Sequence, residues 1–178
     1  MCLGWCDVAI STDSSGRTIT EKVVGTLGSD YIERFVLSPD GRRFAYTANI
    51  GDLGGSGPEK QFVVVDGLRG PKFNHIATDD VQIGPLIFSA DSSRLAYAAV
   101  NGGHMSPIVD GRAIGRYPVV KMSRHPFSTD GTHFAFFAGN DSYTGAAVVD
   151  GRKGKEYRGI SKPLMSPDGK HVAYTVRR

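Results

Sequence analysis

Apolar residues fall in short, dense runs along this chain: Phe35-Val-Leu, Phe44-Ala-Tyr, Phe62-Val-Val-Val, Leu95-Ala-Tyr-Ala-Ala-Val, Phe134-Ala-Phe-Phe-Ala and Ala146-Ala-Val-Val. Gly, Pro, Asp and Ser punctuate them, and no stretch shows apolar positions recurring every three to four residues. Runs of this length, rich in β-branched and aromatic residues and bounded by turn formers, read as strands buried on both faces. The pattern predicts an all-β chain with strands near 34–38, 43–48, 61–65 and 72–76 and their later equivalents.

The runs repeat. Phe35 to Tyr46, Leu86 to Tyr97, His125 to Phe136 and Pro163 to Tyr174 align without gaps around Ser38, Ser89, Ser128 and Ser166. The first, Phe-Val-Leu-Ser-Pro-Asp-Gly-Arg-Arg-Phe-Ala-Tyr, is the fullest form; the second has Ala90 and Ser92 where Pro and Gly stand. A second motif lies between them: Val64-Val-Asp-Gly67, Ile108-Val-Asp-Gly111 and Val148-Val-Asp-Gly151. An aromatic follows each of these glycines (Phe73, Tyr117, Tyr157), then an aliphatic (Ile76, Val120, Ile160). Ser-Pro-Asp-Gly suits a tight turn, with Pro pre-setting φ at the second position and Gly closing it. Asp-Gly ends a third strand in another turn, and the stretch to the later aliphatic makes a fourth. One repeat is then a four-stranded antiparallel meander of about 40 residues, the period of a β-propeller blade.

On these motifs the chain resembles the TolB-type, WD-repeat-like propeller proteins, whose blades carry the same Ser-Pro-Asp-Gly turn followed by an Ala-Tyr strand. The resemblance covers Tyr31 to Arg178 and implies a β-propeller of about four blade equivalents. Full blades are expected at 33–80, 81–122 and 123–160, with partial ends at 1–32 and 161–178. The N-terminal piece contains Ile10-Ser-Thr-Asp13, an echo of Phe127-Ser-Thr-Asp130. The two ends close one blade if their strands pair; otherwise the ring is open and copies can self-associate.

Composition narrows function more than it defines it. With 21 Lys and Arg against 18 Asp and Glu the net charge is only +3, spread along the chain, so a basic nucleic-acid stripe is not expected. Cys2 and Cys6 have no second pair to form a metal or disulfide framework. No apolar run reaches the ~18 residues of a membrane helix, and no signal peptide is recognisable, so a cytoplasmic location is expected unless the chain belongs to an exported protein.

Catalytic signatures fail one by one. Gly54-Gly-Ser-Gly57 is followed by Pro58, which breaks the nucleophile-elbow pattern. The histidines show no metalloprotease spacing. Asp40, Asp91, Asp130 and Asp168, like Asp66, Asp110 and Asp150, occupy turn positions where Asp accepts backbone hydrogen bonds. No catalytic residue, cofactor or resident metal is therefore expected. The expected role is a non-catalytic scaffold that binds a protein, a peptide or a small ligand. The alternative is a fragment of the propeller of a larger exported protein or of a prolyl-oligopeptidase-like hydrolase, and a sugar or metal site using Asp79, Asp80 and His104 is a lesser one.

Two surfaces are candidates. Arg43, Arg94, His133 and His171 follow each repeat serine by five and form a basic rim, or are simply solvated. The stronger candidate is the opposite end, where strand 2–3 connections and inter-blade crossings vary in length, because loops on a rigid scaffold carry binding residues. Its expected lining is Asp52, Glu59, Asp79, Asp80, His104, Arg124, His125 and Tyr143, and its acidic excess favours a cationic partner.

Overall fold

The computed structural model describes residues 8–12, 18–22, 31–50, 60–77 and 86–177. The described elements are all strands. An N-terminal hairpin pairs β1 (Val8–Thr12) with β2 (Thr18–Lys22). Four consecutive strands then form an antiparallel meander: β3 (Tyr31–Leu37), β4 (Phe44–Ile50), β5 (Lys60–Val65) and β6 (Leu68–Phe73). The second sheet contains β7 (His75–Ile76), β8 (Ile87–Phe88), β9 (Leu95–Asn101), β10 (His104–Val109) and β11 (Arg112–Ala113). The third contains β12 (Val119–Lys121), β13 (Ala135–Gly139), β14 (Thr144–Val149), β15 (Arg152–Lys153) and β16 (Tyr157–Arg158). A last hairpin pairs β17 (Leu164–Met165) with β18 (Val172–Ala173).

Alternate side chains of each central strand enter different cores, which is why the runs carry no polar face. Ala45 and Val63 of the first sheet pack with Leu95, Tyr97, Ala99 and Ile108 of the second. The intervening residues of that second sheet, Ala96, Ala98 and Val109, pack with Phe134, Phe136 and Val148 of the third. Small alanines let successive sheets approach, and Tyr97 and Phe136, 2 and 0% exposed, fill the two gaps, while Tyr46, 3% exposed, packs with Phe44, Ala48, Phe62 and Val64 of its own sheet. Burial pushes the Tyr97 hydroxyl pKa up to about 12, because its phenolate has no water to solvate it. Tyr174, the fourth equivalent, is 37% exposed and its ring lies 6.1 Å from that of Tyr157.

The pairing corrects the expected fourth strand. Strand β6 ends at Phe73, and Ile76 already pairs with Ala99 of the second sheet. Gln61 fixes this crossing, accepting the Ile76 N–H on Oε1 at 2.5 Å while its own amide donates to Glu33 at 3.1 Å. Val120 likewise pairs with Ala138, and Ile160 bridges to Val176. Each late aliphatic therefore opens the first strand of the following sheet. Ile76 on Ala99 and Ile87 on Ala96 both pair with β9 of this one sheet.

The two terminal hairpins are separate two-stranded sheets, and no ladder joins them among the described residues. Closure of one blade by the two ends is not seen there.

Candidate functional site

The repeat serine organises one end of every sheet. Ser38, Ser89, Ser128 and Ser166 each accept the N–H of the residue five further on, at 2.9, 3.0, 3.0 and 2.9 Å. Each hydroxyl donates to the turn aspartate two residues on: Ser38 to Asp40, Ser128 to Asp130 and Ser166 to Asp168 at 2.6 Å, and Ser89 to Asp91. The carboxylates are held in their charged form by these bonds. Asp130 is held lowest, at about 2, by the Ser128 hydroxyl first and then by the Thr132 backbone and hydroxyl. These hydrogen bonds close the tight turn in each of the four repeats.

The basic side chain five residues after the serine completes a lock. Arg43 Nε, Arg94 Nε and His133 Nδ1 lie 2.8, 2.9 and 2.8 Å from the outer oxygens of Asp66, Asp110 and Asp150. The inner oxygens accept the N–H of Phe44, Leu95 and Phe134 at 2.9 Å each. To place its carboxylate there, each Asp takes a positive φ (51, 51 and 50°), and the following Gly does too. Positive φ at both central residues is the twist-matched hairpin turn that Asp-Gly favours. Arg43 and Arg94 also reach the next sheet. Arg43 donates to the carbonyls of Ser92 and Ser93 at 3.2 and 2.7 Å, and Arg94 to that of Gly131 at 3.0 Å. Their guanidinium groups lie over Phe88 and Phe127. The expected basic rim is corrected accordingly: three of its four members are paired. His171 stands at the fourth position, with no third strand beside it among the described residues.

The loop end is built differently. Tyr143, 73% exposed, stands in the β13–β14 connection. Asp141 accepts the N–H groups of Tyr143 and Thr144 at 2.7 and 2.5 Å, which fixes the loop and lowers the Asp141 pKa. Lys121 donates to the Ser142 carbonyl at 2.6 Å and places its ammonium 5.8 Å from the Tyr143 ring centre. Beside them a cleft of about 650 Å³ is lined by Asp141, Tyr143, Thr144, Arg158, Gly159 and Arg177. Two guanidinium groups face one carboxylate that the backbone already engages. His104 opens β10, where its Nδ1 lies 3.1 Å from the Gly102 carbonyl oxygen and 3.2 Å from Arg116 Nη2.

The sequence-derived residues divide into three groups. His104 and Tyr143 stand at the loop end. Arg124 and His125 follow β12, between the Lys121–Phe137 and Phe127–Phe134 pairs. There Arg124 lines a second, apolar cavity of about 430 Å³ with Val36, Leu37, Leu86 and Phe88. Asp52, Glu59, Asp79 and Asp80 lie outside the described residues, and with them the acidic excess expected of this surface. Sequence reasoning missed Lys121, Arg158 and Arg177. Lys121 adjoins the late aliphatic Val120, whereas Arg158 and Arg177 carry no motif.

Among the described residues no group of His, Cys, Asp or Glu is arranged to hold a metal, and no helix is long and apolar enough to cross a membrane. No family model and no curated protein matches the chain. Among solved structures it is similar to TolB from Acinetobacter baumannii, at 16% identity over 96% of this chain and 46% of that one, with a TM-score of 0.39. It is also similar to Kuenenia stuttgartiensis hydrazine synthase, at 17% identity over 96% of this chain and 56% of that one, with a TM-score of 0.36. The chain spans about half the length of each, and the likeness at these scores is coarse.

Proposed function

We propose that the chain is an arc of a β-propeller that acts as a non-catalytic interaction scaffold, taking an acidic peptide segment in the cleft between Tyr143, Arg158 and Arg177. The propeller reading is supported by successive meanders that bury both faces against their neighbours and hand the chain forward to the next first strand. The observation that carries the functional reading is a division of labour. At the turn end, the repeated carboxylates engage backbone N–H groups and, in three repeats, a cation. At the loop end an exposed aromatic and two arginines line a cleft that the stacked sheets hold rigid. Carboxylates recognise arginine in paired geometry, and an aromatic rim supplies apolar contact at low entropic cost.

Titration of the intact chain with short acidic and basic peptides tests this reading. Acidic peptides are expected to bind, with affinity falling as salt screens the pair. The double variant Arg158→Ala/Arg177→Ala should lose this binding while keeping the parent melting temperature. Equal binding of both peptide classes, or turnover of generic ester or peptide substrates by the purified chain, overturns it.

A further inference from the structure

Between the first and second sheets lies a pocket of about 370 Å³, lined by Val63, Val65, Leu68, Gly70, Leu95 and Tyr97. Space is left there because β6 carries no side chain at Gly70. A methyl built on that residue would stand 3.1 Å from the Val63 carbonyl oxygen and 3.9 Å from the Tyr97 hydroxyl. The same position, three after the glycine of each Asp-Gly turn, is Ile114 in the second repeat, and that side chain packs against the core that holds Phe136. In the third repeat it is Gly154, and the next aromatic, Tyr174, is 37% exposed. The aromatics differ as well. Phe136 has no hydroxyl, whereas Tyr97, only 2% exposed, brings one to the pocket. An edge contact with Phe73, ring centres 6.3 Å apart, holds the Tyr97 ring in place. Its hydroxyl has no hydrogen-bond partner among the described residues, and burial is what shifts its pKa. Buried polar groups are nearly always bonded, so an unanswered hydroxyl facing a pocket points to a ligand.

We propose that this pocket binds a small, neutral, apolar molecule carrying one hydrogen-bond acceptor, such as an aryl ketone, and that the acceptor takes a hydrogen bond from the Tyr97 hydroxyl. The walls select the apolar body: Val63 and Leu95 are 1 and 2% exposed, and Leu68, 78% exposed, stands at the mouth. The rim selects against charge, because its carboxylates are already paired, Asp66 with Arg43 and Asp110 with Arg94. The hydroxyl selects an acceptor. Burial keeps its proton on at neutral pH, so it is available to donate. The volume lies near the lower end of small-molecule sites, about 300–1,000 Å³, which suits a body of one or two rings. The pocket is separate from the Tyr143 cleft, and neither site needs the other to be correct.

The probe is 2-acetylnaphthalene, titrated into the intact chain and followed by its fluorescence, with naphthalene as the comparator that lacks an acceptor. Saturable binding of 2-acetylnaphthalene is expected. Tyr97→Phe copies the aromatic of the third repeat and removes only the hydroxyl; it should weaken the ketone by about tenfold, the scale of one hydrogen bond, and leave naphthalene unchanged. Gly70→Ile copies the second repeat and fills the space, so it should abolish binding of both probes at an unchanged far-UV circular dichroism spectrum. If that variant does not fold, the Tyr97→Phe comparison decides alone. No saturable binding by the parent chain overturns the proposal. Ketone binding that is indifferent to Tyr97→Phe, or that survives in a folded Gly70→Ile, overturns it equally, because the probe then sits elsewhere.

Discussion

His133 Nδ1 lies 2.8 Å from Asp150 Oδ2, the separation that Arg43 Nε keeps from Asp66 Oδ2 one end of the array away. The third repeat thus carries a titratable version of a lock that the first two make with permanent charge. The hydrogen bond to Asp150 first, and its negative charge second, raise the His133 pKa.

A raised folded-state pKa fixes the sign of the pH dependence. The contribution is complete below the unfolded value of about 6.5 and is lost as pH rises through the folded value. Thermal melts of the wild type and of His133→Arg across this range should therefore diverge upward. The variant is expected to hold its melting temperature at alkaline pH while the wild type declines. Parallel curves would show that the pair contributes nothing.

Arg94 joins three groups at once: Asp110, the Gly131 carbonyl and the Phe127 ring. Lysine keeps the charge but has no planar fork, so Arg94→Lys should lose the carbonyl bond and part of the ring contact. A loss of about 1–2 kcal/mol in denaturant unfolding is expected. An unchanged midpoint would mean that the link between the second and third sheets is not energetic.

Ser92 adopts φ 65° where three other repeats have Gly, at 67, 68 and 70°. Its hydroxyl accepts the Asp40 N–H of the preceding repeat at 3.1 Å. Ser92→Gly relieves a left-handed strain of about 1–2 kcal/mol and gives up a hydrogen bond of about 1 kcal/mol, so it should be near neutral. Ser92→Ala keeps the strain and loses the bond, and should cost about 1 kcal/mol. If both behave alike, the contact is incidental.

The same sequence position should give opposite results in two repeats. Phe136→Ala is expected to cost about 3–5 kcal/mol, as for a large buried aromatic. Tyr174→Ala should cost clearly less, because that ring is 37% exposed and its aromatic contact is Tyr157. Equal losses would mean that Tyr174 is packed in solution.

How far the sequence could be read follows from where the interactions are local. The Ser-Pro-Asp-Gly and Asp-Gly turns were legible because each is satisfied within a few residues of itself. Double burial was legible because Phe44 to Ala48 and Phe134 to Ala138 carry almost no polar side chain. The handover at Ile76 was not, since that residue is fixed by Gln61 and by Ala99 of another sheet, and no local pattern marks a change of partner. The lock was half legible: the positions of Arg43, Arg94 and His133 stood out, but their partners lie 23, 16 and 17 residues away. The cleft at Arg158 and Arg177 depends on two strands meeting and carries no motif.

Residue-resolved amide hydrogen exchange of the intact chain, without added peptide, tests the repeated lock against the fourth repeat. The N–H groups of Phe44, Leu95 and Phe134, each donated to an Asp carboxylate, should exchange slowly, at rates set by sub-global or global opening. The N–H of Val172, at the equivalent position with no third strand beside it among the described residues, should exchange near the rate of an unprotected amide. Protection of Val172 equal to that of the other three would contradict the account, because the fourth lock would then already be closed.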